Sequence, residues 1–131
     1  MPTTDEIRAT IDQYVERFCV GDSAAWAALF SEDATQEDPV GTPVNVGREA
    51  IQAFYDNTSA LFGGGLTIAL LSEPVILGNE AIVILTATGG AGAARARVPQ
   101  IVDHMTFADD ASIASLRAFW DMASVTPDPE S

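Results

Sequence analysis

The chain has 131 residues, 47% of them apolar, which suffices for one domain with a single sizeable core. It carries 19 acidic residues against 6 basic ones, a net charge of −13, and such a surface repels nucleic acid and anionic membranes. No apolar stretch approaches the roughly 18 residues of a membrane span, and no apolar run follows a basic start. We therefore expect a soluble, cytoplasmic protein without a signal peptide.

The N-terminal half predicts three helices and one short strand. Thr3 and Glu6 have the form of a capping box, after which apolar residues recur at helical spacing. Asp22 can cap a second helix, and Pro39 turns the strand. We expect helices over residues 5–20 and 23–30 and from about residue 47, and a strand over residues 34–38.

The C-terminal half predicts strands separated by glycine-rich loops at residues 63–65 and 89–92. Residues 81–88 are apolar on both faces, as in a strand covered on both sides. Residues 126–131 are rich in proline and acid, and we expect them to form a disordered tail. The predicted strands cover residues 66–71, 75–77, 81–88, 95–107 and 113–122.

This order of elements predicts an α+β fold, with N-terminal helices on one face of a curved, mostly antiparallel sheet. Neither a repeat nor a linker divides the chain, so we expect residues 1–125 to form a single domain. Cys19 and His104 are the only residues of their types. An intrachain disulfide is therefore excluded, and a zinc site is not expected.

Asp103 is a carboxylate where the pattern calls for an apolar residue. Side chains alternate between the two faces of a strand, so Asp103 shares a face with Ile101, Met105 and Phe107. Burying an unpaired ionised carboxylate there is costly, and protonation turns the group into a hydrogen-bond donor. The alternative is an Asp that caps a loop or lies at a bulge near the rim.

Tyr14 and Asp38 are two further candidates. Tyr14 lies on the core stripe of the first helix, and its buried hydroxyl needs a partner, which could be an ordinary backbone carbonyl. Asp38 ends a strand and is followed by Pro39, so it is either an exposed loop residue or a proton shuttle. One base and two neutral donors in an apolar cavity would suit proton abstraction next to a carbonyl.

Five segments resemble the bacterial ketosteroid isomerases, whose wider superfamily is called nuclear-transport-factor-2-like or SnoaL-like. The matches run in the same order over about residues 5–121 and place all three candidate groups in register. The fold that this resemblance implies is a cone of curved sheet closed by three helices. The segments are QYV at 13–15, DATQEDPVG at 33–41, AIQAFY at 50–55, VDHMTF at 102–107 and SLRAFW at 115–120.

The resemblance implies a steroid Δ5-3-ketone isomerase that needs no cofactor and no metal. Asp38 would carry a proton from C4 to C6 of the steroid, and Tyr14 and a protonated Asp103 would hold the enolate oxygen. A carboxylic acid kept neutral at pH 7 is known from these isomerases themselves, so this role comes from the resemblance and not from the alternation of side chains. Tyr55 would donate to the Tyr14 oxygen. The steroid cavity would be lined by Phe54, Ala118 and Trp120.

Some features depart from the family or leave alternatives open. Phe30 stands where some members have a third tyrosine, and the glycine-rich loops at residues 63–65 and 89–92 match poorly. His104 alternates away from Asp103, so we assign it no catalytic role. The partners implied are an apolar steroid and a second copy of the chain in a homodimer. The alternatives are a polyketide cyclase or dehydratase of the same fold, and a small-molecule binding module without catalysis.

Overall fold

The computed structural model describes residues 1–129, in which three α-helices pack on an open mixed sheet. The helices are α1 (Thr4–Val20), α2 (Ser23–Ala27) and α3 (Arg48–Leu61). The strands are β1 (Phe30–Glu37), β2 (Asn45–Val46), β3 (Thr67–Leu70), β4 (Val75–Leu77), β5 (Glu80–Gly89), β6 (Ala96–Phe107), β7 (Ile113–Phe119) and β8 (Thr126–Pro127). The predicted α+β class is confirmed, although α3 follows β1 and β2 in the chain.

The sheet runs in the order β2-β1-β7-β6-β5-β3, with β4 also paired to β5 and β8 to β6. Only the β1–β7 pair is parallel among these strands; the other pairs are antiparallel. The register shifts between Leu85 and Ala87 of β5, and such irregularities bend a strand. The sheet has two edges and is not closed, and the helices pack on its core face.

Local signals define the first helix as predicted. The amide of Glu6 donates to Thr3 Oγ1 at 3.1 Å, and the amide of Thr3 donates to Glu6 Oε1 at 2.9 Å, which completes the capping box. Gly21 ends α1 in the left-handed conformation, at φ 87°. The buried face of α1 then consists of Ile7, Ile11, Tyr14 and Phe18.

The second helix is shorter than predicted. The amide of Leu29 donates to the Trp26 carbonyl at 3.1 Å, which closes the last turn, and Phe30 then pairs with Ile113 of β7. The prediction of a helix to residue 30 is wrong because pairing with a distant strand outweighs local helix propensity.

The last part of the chain also differs from the prediction. The strand predicted to residue 122 stops at Phe119, and Asp121 caps a short 3-10 helix over Met122–Ser124. The strand Thr126–Pro127 pairs with β6, and Arg95 Nη1 contacts Asp128 Oδ2 at 2.8 Å. The prediction of a disordered tail from residue 126 is therefore wrong for residues 126–128. Residues 130 and 131 of that predicted tail lie outside the described residues.

The core face of β5 is buried, whereas its outer face is only partly covered within one chain. Val83 is fully buried, but Ile82 on the opposite face is 39% exposed. Homodimerisation through this face stays a prediction. In residues 1–129, no helix combines the length and apolarity needed to cross a membrane.

Candidate functional site

An apolar cavity lies between α1, α3 and the core face of β5 and β6. Its volume is about 60 Å³. Asp38, after β1, and Trp120, after β7, also contribute to its wall. The lining residues are Tyr14, Phe18, Asp38, Phe54, Thr58, Phe62, Leu66, Ile68, Leu85, Ala87, Thr88, Gly89, Val98, Ile101, Asp103 and Trp120.

Asp103 lies in the middle of β6, between Val83 of β5 and Ala118 of β7. This position excludes a residue at the sheet rim, and the side chain is only 2% exposed. Burial raises the pKa of the Asp103 carboxyl well above its usual range, and the nearby Asp38 carboxylate raises it further. Among residues 1–129 no protein group hydrogen-bonds to this carboxyl, and it faces the cavity. The group therefore keeps its proton to unusually high pH and can donate it to a ligand.

Tyr14 reaches the same cavity from the buried face of α1 and is 4% exposed. Its ring packs against Trp26 at 5.6 Å between centroids and against Phe30 at 6.3 Å. Burial raises the pKa of the Tyr14 hydroxyl well above its usual range, with smaller contributions from the charges of Asp103 and Asp38. Tyr14 is thus a second neutral donor in an apolar setting.

Asp38 is the carboxyl group of the cavity that is ionised at neutral pH. Burial raises the pKa of its carboxyl to about 6, while a hydrogen bond from Trp120 opposes this rise. Trp120 Nε1 donates to Asp38 Oδ1 at 2.6 Å, across 82 residues of sequence. A carboxylate with this pKa is largely ionised at neutral pH and is still basic enough to accept a proton.

The residues on either side of Asp38 are hydrogen-bonded to β7. Arg117 Nε donates to Glu37 Oε1 at 2.9 Å, and the amide of Val40 donates to the carbonyl of Ala118 at 2.8 Å. Glu37 lies outside the cavity, because its carboxylate pairs with Arg117 and it is not among the lining residues. These contacts set the direction in which the Asp38 side chain enters the cavity.

The other residues predicted for the site have mixed outcomes. Phe54 and Trp120 line the cavity, whereas Ala118 is fully buried in the sheet and is not among its lining residues. The Tyr55 hydroxyl donates to the carbonyl of Phe18 at 2.6 Å, so the expected bond to Tyr14 is not formed. The Phe18 carbonyl lies in the last turn of α1, where it also accepts from the amide of Gly21 at 3.2 Å, and Tyr55 provides its second hydrogen bond.

Sequence reasoning missed part of the apolar wall. Leu85 and Ala87 of β5 and Val98 of β6 extend it beyond Asp103, and Phe62 continues the cavity face of α3 eight residues after Phe54. Two signals could have identified them. One is the inward alternation along β5 from Val83, and the other is the four-residue spacing along α3.

His104 lies on the opposite face of β6 from Asp103, where its Nε2 contacts Glu80 Oε1 at 2.7 Å. In residues 1–129, no group of three His, Cys, Asp or Glu side chains is arranged to hold a metal ion. The titratable groups among the lining residues are thus a carboxylate that is ionised at neutral pH, a carboxyl that retains its proton and a phenol. Such a set can remove a proton beside a carbonyl and stabilise the resulting oxyanion.

Comparison with known proteins identifies relatives over most of the chain. The family model of the SnoaL-like domain matches residues 11–124. A Steroid Delta-isomerase from Nocardioides simplex is 37% identical over 115 residues, covering 88% of this chain and 89% of the relative. A solved structure is described as the epoxide hydrolase/cyclase-like enzyme SalBIII, with a role in pyran ring formation in the polyether salinomycin. It has a TM-score of 0.78 and 26% identity, and covers 98% of this chain and 100% of its own. The chain therefore belongs to the SnoaL-like domain family.

Proposed function

We propose that the protein is a steroid Δ5-3-ketone isomerase, which converts Δ5-3-ketosteroids to conjugated Δ4-3-ketosteroids. The observation that carries the proposal is that one apolar cavity contains one ionised carboxylate and two groups that stay protonated. Asp38 has a pKa near 6, and Tyr14 and Asp103 keep their protons to unusually high pH. The relative named Steroid Delta-isomerase supports the substrate class.

The first step removes a proton from C4 of the bound steroid. The Asp38 carboxylate takes this proton, and the electron pair of the C4–H bond moves into the ring to form a dienolate with its charge on the C3 oxygen. Tyr14 and Asp103 donate hydrogen bonds to that oxygen. Donors preorganised in an apolar site stabilise such a charge more than water does, and removing one costs about 100- to 1,000-fold in rate.

The second step returns the same proton to C6. The dienolate electrons form the C6–H bond, the double bond moves from C5–C6 to C4–C5, and the C3 carbonyl re-forms. Asp38 is again ionised, so the cycle needs no further acid, base or oxidant. Trp120 holds one Asp38 oxygen at 2.6 Å and leaves the other to exchange the proton.

The test is turnover of 5-androstene-3,17-dione, followed through the ultraviolet absorbance of the conjugated enone. We expect wild-type conversion and a loss of at least about 100-fold in Asp38→Asn, because that variant lacks the base. Asp33→Asn is the matched control, since it removes an exposed carboxylate from the same strand, and it should keep wild-type activity. Wild-type activity in Asp38→Asn would disprove the assignment of the base.

A second candidate function is epoxide opening or cyclisation, which the likeness to SalBIII favours. A protonated Asp103 facing an ionised Asp38 could serve as acid and base for that chemistry too. The two functions separate in one experiment. An isomerase converts the Δ5-3-ketone and leaves a hydroxy-epoxide unchanged, and a cyclase does the reverse.

A further inference from the structure

We infer that Phe62 is a specificity-determining residue, which closes the cavity end remote from Asp103 and selects steroids with a small substituent at C17. The inference rests on the proposed function, because it takes the steroid to be held at C3 by Tyr14 and Asp103. It concerns the opposite end of the cavity, away from the catalytic groups of Tyr14, Asp38 and Asp103.

The apolar wall gives the steroid its direction. From Asp103, whose partner on β5 is Val83, the buried lining continues through Leu85 and Ala87 to Gly89. Six residues of strand span at most about 20 Å, and the bulge after Leu85 shortens this distance. An apolar ring system held at C3 gains most by lying along this wall, so its far ring points toward Gly89.

Phe62 closes that end of the cavity by direct contact with the backbone of Gly89, which has no side chain. A Cβ atom added to Gly89 would lie 2.8 Å from Phe62 Cβ and 3.2 Å from Phe62 Cγ, so only glycine allows this approach. The amide of Gly90 donates to the carbonyl of Gly64 at 2.8 Å, which joins the two glycine-rich loops. The end of α3 is thus fixed against the end of β5, with the half-buried Phe62 ring between them.

The expected consequence is a limit on substrate length. A C17 ketone adds one oxygen to the far ring, whereas a long branched alkyl chain would have to displace Phe62 and separate the Gly64–Gly90 contact. Discrimination by an apolar wall against one methylene group is already about 10-fold or more. We therefore expect strong selection against the long chain.

The experiment compares kcat/KM for 5-androstene-3,17-dione and 5-cholesten-3-one in the wild type, Phe62→Ala and Phe62→Leu. The wild type should prefer the short ketone by at least about tenfold, and Phe62→Ala should reduce this preference at least about tenfold. Phe62→Leu should give an intermediate ratio, and it decides the question if the alanine variant does not fold. Leu61→Ala is the matched control, because Leu61 is the neighbouring residue and is 73% exposed, and it should keep the wild-type ratio.

Binding of the two conjugated products separates this inference from the proposed function. If no ketone is turned over, the proposed function fails. Tighter binding of 4-androstene-3,17-dione than of 4-cholesten-3-one, equalised by Phe62→Ala, then still supports the role of Phe62. Equal handling of both lengths by the wild type, or a ratio unchanged in the Phe62 variants, overturns the inference. Failure to bind either product overturns both.

Discussion

Replacing Trp120 by Phe should raise the pKa of the catalytic base while keeping an aromatic ring in the cavity wall. Trp120 Nε1 provides the hydrogen bond that Asp38 Oδ1 accepts at 2.6 Å, and no other protein group in residues 1–129 donates to this carboxyl. Burial alone would place the pKa of Asp38 higher than about 6, and the indole bond lowers it. The variant removes the stabilisation of the ionised form and leaves the burial.

The size of the effect follows from the strength of the bond. A hydrogen bond to a charged group contributes about 1.5–3 kcal/mol, and one pKa unit corresponds to about 1.4 kcal/mol. The pKa of Asp38 should therefore rise by about one to two units, to between about 7 and 8. At pH 7 the ionised fraction would fall from about nine tenths to between about one half and one tenth, so kcat/KM should fall about two- to tenfold.

The assay is the pH profile of kcat/KM for isomerisation. Because the ionised carboxylate is the active form, a higher pKa moves the acid limb to higher pH, and activity should recover above about pH 9. Trp26→Phe is the matched control, since Trp26 Nε1 is buried without a hydrogen-bond partner in residues 1–129 and so does not donate to Asp38. Its acid limb should stay at the wild-type position. An unshifted limb in Trp120→Phe would refute the reasoning.

Three further substitutions test other parts of the structure. The pKa of the Asp103 carboxyl is raised in the folded chain, so the protonated group stabilises the fold at low pH. This stabilisation is lost as the pH rises above the pKa of the unfolded chain, near 3.8, by up to about 1.4 kcal/mol per pH unit. Urea unfolding at several pH values should therefore show Asp103→Asn gaining stability relative to wild type as pH increases, and a constant difference would argue against a raised pKa. Tyr55→Phe removes one of two hydrogen bonds to the Phe18 carbonyl and should cost about 0.5–1.5 kcal/mol in urea unfolding without moving the acid limb of activity; a moved limb would mean that Tyr55 does act on the catalytic groups. Gly89→Ala should cost about 1–3 kcal/mol because the added Cβ overlaps Phe62, and an unchanged unfolding midpoint would show that this contact is loose.

Burial of the two donors could be predicted from the sequence because it follows from local periodicity. Alternation along β6 places Asp103 beside Ile101, and helical spacing places Tyr14 on the face of Ile11. Both predictions require only the spacing of residues along the chain and the type of secondary-structure element. The roles of these residues came from a family resemblance and stay predictions.

Contacts between distant segments could not be predicted in the same way. The hydrogen bond from Trp120 to Asp38 joins the residues that follow β7 and β1, and these residues meet only because the two strands pair in parallel. For Tyr55, a contact was predicted with the wrong partner. Its position in α3 was right, but whether its hydroxyl reaches Tyr14 or the Phe18 carbonyl depends on a few ångströms of helix packing, which spacing does not determine.

The measurement that tests the central claim most directly is binding of a steroid with a phenolic first ring, whose ionised oxygen imitates the enolate. Binding would be followed by titrating the protein and recording the ultraviolet spectrum of the phenol. We predict that the wild type lowers the pKa of the bound phenol, and that Tyr14→Phe and Asp103→Leu each weaken binding about tenfold or more, as expected for the loss of a hydrogen bond to a charged oxygen. Binding of equal strength in the wild type and both variants would contradict the account, because the cavity would then contain no site for the oxyanion.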